Sequence, residues 1–217
     1  ERESCPLAGE REGKAAGIPL IAGANAEEVA FPSLQALLGP GDWEEAERRL
    51  LESGLSREKA QALLAHYRKG VPDPKRAWGE VQTDLTLLCP SLKAARLQAP
   101  PAPTYAYLFT FRAPGWEGLG AFHGLELAPL FGNLLERPFL RQEAQEEAEY
   151  LGKKMRRYCA SFAKDGEPKG WPRWPLYREG HLLRLDVPLG RLPGLYADRR
   201  GAPEVPALRD GHQGARH

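Results

Sequence analysis

The stretch Ile18-Pro19-Leu20-Ile21-Ala22-Gly23-Ala24-Asn25-Ala26-Glu27-Glu28 opens as an apolar run and closes on two carboxylates. The run is short and bounded by glycine, so residues 18–23 read as a strand buried on both faces rather than as a helix. A strand of that kind belongs inside a sheet covered by helices, which places the chain in the α/β class. Glu27 and Glu28 stand where the strand ends. They either open a helix, where acidic groups favour the dipole, or leave one carboxylate, that of Glu28, to point across the sheet edge towards a later loop.

Outward from this strand, the clearest strand of the chain is residues 104–111, TYAYLFTF, which alternates aromatic and β-prone residues after the turn-rich connector 100–103. The segment between the two is helical. Trp43, Ala46, Leu50 and Leu51 follow a helical period over 42–53, and Ser56 opens a second helix with Ala60, Leu63, Leu64 and Tyr67 on one face before Gly70. Pro72 and Pro74 break this hairpin. A third helical stretch carries Trp78 and Val81, and a fourth spans 84–97 with Pro90 disturbing its middle. A long helix is predicted over 143–164, with Ala144, Ala148, Leu151, Met155, Cys159 and Phe162 on one stripe. Residues 182–187 read as a late edge strand, and the polar tail over 199–217 reads as flexible. Three strands among so much helix imply a small or incomplete sheet with helices packed around it.

Composition narrows the function. The 217 residues are 42% apolar, and 30 basic groups are nearly cancelled by 29 acidic ones to leave a formal charge of +1. Such a balance does not suit nucleic acid as a partner. No run is long enough for a membrane span, and the first residues lack the apolar core of a signal peptide, so the chain reads as soluble. Cys5, Cys89 and Cys159 are far apart and lack the paired spacing of a zinc site, so no metal is expected.

His123 lies in the glycine-flanked loop Gly120-Ala121-Phe122-His123-Gly124, placed after the strongest strand, where α/β sheets present functional side chains. A carboxylate at the end of the first strand, Glu28, could fix the tautomer of that imidazole and stabilise its charged form. Taken alone, each residue is also compatible with a bland role, His123 in a surface loop and Glu28 at a helix start.

The two segments together resemble the type-B carboxylesterases and cholinesterases. Residues 18–28 are similar to the family segment that ends with the triad glutamate, and residues 120–132 (GAFHGLELAPLFG) to the segment around the triad histidine. Residues 84–90 (DLTLLCP), 105–111 (YAYLFTF), 155–168 (MRRYCASFAKDGEP) and Trp174-Pro175 follow in the family's order. The resemblance covers roughly residues 10 to 190 and implies an α/β-hydrolase fold, whose triad runs Ser, then acid, then His. It casts Glu28 as the triad acid and His123 as the base of a carboxylic ester hydrolase that needs no cofactor. Residues 1–198 would then be the C-terminal portion of the hydrolase domain.

The nucleophile is not here. Ser4, Ser33, Ser53, Ser56, Ser91 and Ser161 all lack the Gly-x-Ser-x-Gly frame, and the Gly-Gly oxyanion loop is absent too. The resemblance therefore implies a missing N-terminal half as a partner, with a small carboxylic ester as substrate, and a chain that is inactive alone. A non-catalytic cholinesterase-like binding or adhesion module, or an inactive fragment, is the alternative. Trp78, Phe122, Phe131 and Leu134 are candidate pocket walls. Glu126 resembles a carboxylate that supports the triad, and is equally readable as a partner for a nearby arginine or backbone amide. Asp84 reads as a buried structural residue. Two departures from the family pattern stand out: Val29 replaces the glycine that commonly follows the acid, and Cys89 matches a disulfide position for which no cysteine follows Cys159.

Overall fold

The structure, a computed structural model, describes residues 17–29, 38–99, 102–132, 142–177 and 181–193. Strand β1 (Leu20–Asn25) begins directly after Pro19, which has no N–H to give to a ladder; the first bond is made by Leu20 N to the carbonyl of Pro103 at 3.1 Å. It continues two residues beyond the predicted end, so that Asn25 closes the strand and Ala26 N still donates to Phe109 O at 2.9 Å.

Four strands form one mixed sheet in the order β1-β2-β3-β4. β1 pairs parallel with β2 (Thr104–Phe109), β2 pairs parallel with β3 (His181–Leu185), and β3 pairs antiparallel with β4 (Gly190–Pro193). The late strand is therefore not an edge, as its sequence suggested. Its outer side is covered by β4, a four-residue strand bracketed by glycine and proline that carries no alternating pattern to announce it. β2, flanked on both sides, is buried at five of its six positions, whereas β1, paired on one side among the described residues, has four positions only partly buried.

Alternation along the strands divides two cores. Tyr105, Phe109, Leu183 and Leu185 face the long helix, where Ala144, Ala148, Leu151, Met155 and Tyr158 are buried. Ala24, Ala106, Leu108 and Leu182 face the opposite way, towards Leu88, Leu92 and Ala95. The period of two puts successive side chains on opposite faces, and a helix layer covers each. On the long helix (Gln142–Asp165) Tyr158 takes the place on the buried stripe that its sequence assigned to Cys159, which is exposed. The Tyr158 ring packs edge-on to Trp174 with centroids 5.3 Å apart.

Between β1 and β2 the chain builds a separate helical cluster from α1 (Trp43–Glu52), α2 (Arg57–Gly70) and α3 (Pro74–Thr83). Asp42, Ser56 and Asp73 cap them through side-chain bonds to Glu45 N, Lys59 N and both Lys75 N and Arg76 N. α3 runs through a π-helical turn (Asp84–Leu88) into α4 (Cys89–Gln98). Pro90 thus lies at the start of α4, and the disturbance precedes it: Cys89 N reaches back to Asp84 O, widening the helix where a proline ring would otherwise meet the carbonyl of the previous turn. A short helix α5 (Leu127–Phe131) follows the loop after β2, and the long helix is α6. The 199–217 tail predicted as flexible lies outside the described residues.

Candidate active site

Because β1 and β2 are parallel neighbours, the loops that follow them leave from the same end of the sheet. The loop after β1 turns at once over residues 26–29, and the loop after β2 travels to residue 126. Glu28 and His123 meet there, with Nδ1 of the imidazole 2.6 Å from Oε2 of the carboxylate. The other carboxylate oxygen, Oε1, accepts the Asn25 main-chain N–H at 2.7 Å. Facing a carboxylate that accepts, Nδ1 is the nitrogen that carries the hydrogen, which in the neutral ring leaves the lone pair on Nε2. The Glu28 side chain is 7% exposed and that of His123 73%, so a fixed acceptor holds a ring that is open to solvent.

The turn after β1 is held on three sides. Ala26 N bonds to Phe109 O, Glu27 N to Ala121 O at 3.1 Å, and Val29 N to Thr83 Oγ1 at 3.2 Å. No non-glycine residue among those described has a positive φ, so the turn forms with Val29 in an ordinary backbone conformation and does not require the family's glycine.

The histidine loop depends on Gly120. Its φ of +67° is a left-handed conformation, and a Cβ built there would stand 2.9 Å from Glu27 Oε2. The close approach is what lets Ala121 N donate to Glu27 Oε2 at 2.6 Å, while Arg112 pairs with Glu27 Oε1. Asn25, buried at 1% exposure, extends its side-chain amide the other way, donating to Phe122 O at 2.7 Å and to Glu126 Oε2. Among the described residues, Glu126 accepts from a side-chain amide, that of Asn25. Beneath this layer lies Tyr107, whose ring approaches Gly23 so closely that a Cβ there would be 2.5 Å from the ring. Burial pushes the Tyr107 phenol up to about 12, with the carboxylates of Glu126 and Glu28 adding to the effect.

The candidate pocket residues fall in different places. Phe122 is partly buried against the main core and sits beside His123, and Phe131, at the end of α5, is 66% exposed. Trp78 is 8% exposed inside the helical cluster with Leu50, Leu63, Tyr67 and Val81, which includes no residue of the His123 loop. Leu134 lies outside the described residues. Asp84 is buried and accepts the Tyr67 hydroxyl, a structural contact. Cys89 begins α4, Cys159 lies on α6, and the two are not joined. Among the described residues no group of three or more His, Cys, Asp or Glu side chains could hold a metal ion. No described helix is long and apolar enough to cross a membrane.

Sequence reasoning missed Asn25, Glu27, Arg112 and Ala121 as parts of this assembly. Asn25 offered a signal of its own, being a polar residue at the closing position of an otherwise apolar strand. Arg112 and Ala121 offered none, since their roles arise only when the two loops are brought together.

Comparison with known proteins gives a consistent result. A sequence model of the carboxylesterase family matches residues 10–191. Carboxylesterase 1C of Rattus norvegicus is 30% identical over 188 residues, covering 76% of this chain and 33% of that protein. The cocaine esterase of Homo sapiens is 33% identical over 117 residues, covering 50% and 20%. The crystal structure of a Geobacillus stearothermophilus carboxylesterase superposes with a TM-score of 0.71 at 26% identity, covering 91% of this chain and 42% of that one. A PNB esterase gives 0.70 at 27% identity, with 91% and 40% covered. The chain spans about a third of the length of its curated carboxylesterase 1C relative. With its mixed open sheet, its flanking helices and a family match over residues 10–191, this chain belongs to the carboxylesterase family.

Proposed function

We propose that the chain carries the acid and the base of a serine carboxylesterase, Glu28 and His123, and that the nucleophilic serine and the oxyanion donors come from a segment outside these 217 residues. The observation that carries this reading is the 2.6 Å contact between His123 Nδ1 and Glu28 Oε2, which leaves Nε2 as the lone-pair nitrogen of a solvent-open ring. In the first step the serine hydroxyl gives its proton to Nε2 as its oxygen bonds to the ester carbonyl carbon. The imidazolium so formed is stabilised by the Glu28 carboxylate, and it returns the proton to the departing alkoxide as the acyl–oxygen bond breaks. Water then repeats the cycle on the acyl-enzyme, using the same nitrogen as base. General acid–base transfer of this type supplies about 10²–10⁴-fold, and the remainder belongs to the oxyanion donors. The absence of a Gly-x-Ser-x-Gly frame around any of the six serines, and the one-third coverage of the rat relative, support a serine from elsewhere.

The test is hydrolysis of p-nitrophenyl butyrate. The 217-residue chain alone should give only background rates, and the intact protein that carries it together with a serine-bearing segment should turn the ester over. In that protein His123→Ala should lower kcat by roughly 10⁴-fold and Glu28→Gln by roughly 10³–10⁴-fold. Retention of most of the activity in His123→Ala would mean that another base is at work, and the assignment would fall. A protein in which no serine segment restores turnover would be a binding module built on the same fold.

A further inference from the structure

We infer that Asn25 is a positioning residue for His123, a reading that rests on the esterase function proposed above. Asn25 is the last residue of β1 and is 1% exposed. Its main-chain N–H holds Glu28 Oε1 at 2.7 Å. Its side-chain nitrogen donates one hydrogen to Phe122 O at 2.7 Å and the other to Glu126 Oε2, on either side of His123 in the sequence. One residue therefore grips the carboxylate from one side and the histidine loop from the other, and fixes the distance between them.

The orientation of the amide is dictated by its neighbours. Phe122 O and an ionised Glu126 carboxylate are both acceptors, so turning the amide over would set Oδ1 against two oxygens and strand both hydrogens. In the orientation adopted, both N–H groups are used and Oδ1 is the atom left buried without a partner among the described residues. A buried orphan acceptor costs stability, which argues that the two donated bonds are what the position is for. Aspartate has the same shape as asparagine and has no donors when ionised. It would place a carboxylate against Glu126 and the Phe122 carbonyl and push the histidine loop away from Glu28.

The experiment uses the intact protein and two readouts. The Nδ1–H of a histidine bonded to a carboxylate gives a far-downfield proton resonance, assigned here by its loss in His123→Ala and in Glu28→Gln. In Asn25→Asp we expect that resonance to vanish and kcat to fall roughly 10²-fold with KM little changed, the scale of a misplacement of about 1 Å. Adding Glu126→Gln to Asn25→Asp reverses the sense of the lost bond, amide now donating to carboxylate, and should recover part of both signals. Asn25→Ala removes both donors without adding charge, and should lose the resonance in the same way should Asn25→Asp fail to fold. A resonance and kcat unchanged in Asn25→Asp or Asn25→Ala, whatever happens to the melting temperature, would overturn the proposal and leave the esterase reading standing. Full activity in His123→Ala would overturn that reading, and the positioning role with it.

Discussion

Glu27 and Ala121 exchange two hydrogen bonds across the end of the sheet that carries Glu28 and His123: Glu27 N donates to Ala121 O at 3.1 Å, and Ala121 N donates to Glu27 Oε2 at 2.6 Å. The first is made by the backbone and survives any substitution that keeps the turn. The second is made by a side chain that is 17% exposed and also pairs with Arg112. Glu27→Ala should therefore leave Ala121 N without its acceptor and Arg112 without its counter-ion, and cost about 1–3 kcal/mol. Denaturant unfolding would measure it. Arg112→Ala should cost less, about 1 kcal/mol or below, because that side chain is 50% exposed and its pairing is screened.

Gly120→Ala tests the same contact from the opposite side. The substitution meets both a φ of +67° and a carboxylate 2.9 Å from the new Cβ, so the loop must rotate or Glu27 must withdraw. A loss of about 1–3 kcal/mol is expected, from the backbone strain alone. Gly118→Ala, two residues earlier, has open space for its Cβ and serves as the control, with an expected change of less than about 1 kcal/mol. Equal melting temperatures for the two variants would show that the Gly120 conformation is not required.

Alkaline pH should weaken the fold in a defined window. Burial raises the phenols of Tyr107 and Tyr158 from the ordinary value of 10.0 to about 12. Between those values the folded chain keeps protons that the unfolded chain has lost, so the stabilisation is complete below pH 10 and is lost as pH rises towards 12. The tyrosinate absorbance of the seven tyrosines should accordingly rise in two stages, the later one coinciding with unfolding. Tyr107→Phe should flatten the loss of stability in this window. An unaltered slope in that variant would show that Tyr107 does not contribute.

The strand over 104–111, the helical hairpin and the long helix were legible because each rests on periodicity along the chain, and the α/β class because a short apolar run bounded by glycine reads as a buried strand; that the first two strands pair in parallel was not. What was illegible rests on few residues or on contacts between distant ones. β4 contributes four residues, among them a glycine and a proline, and it becomes a strand because β3 offers an open edge to it. Cys159 and Tyr158 differ by one position on a helix, and the choice between them is made by Trp174 and by Gly170, whose missing Cβ makes room for the tyrosine ring. Within the site, Glu28 and His123 could be singled out by resemblance. The clamp formed by Asn25, Glu27 and Arg112 required the folded structure, since the polar Asn25 at the strand end does not announce its partners and Arg112 has no pattern of its own.

Trp78 and Phe131 were grouped in the sequence as pocket walls, and their surroundings predict opposite behaviour. Trp78 is packed among Leu50, Leu63, Tyr67 and Val81, with the Arg49 guanidinium 5.9 Å from its ring centroid. Trp78→Ala would open a cavity that the helices around it can only partly close, at a cost of about 3–5 kcal/mol. Phe131, 66% exposed at the end of α5, has little core contact to lose, and Phe131→Ala should change stability by no more than about 0.5 kcal/mol. Denaturant unfolding separates the two on this basis, and kinetics on the intact protein adds the functional half. A rise in KM with stability unchanged would place Phe131 against the ester. A change in KM for Trp78→Ala under conditions where the variant remains folded would instead bring the helical cluster into contact with substrate, and would contradict its assignment to the core.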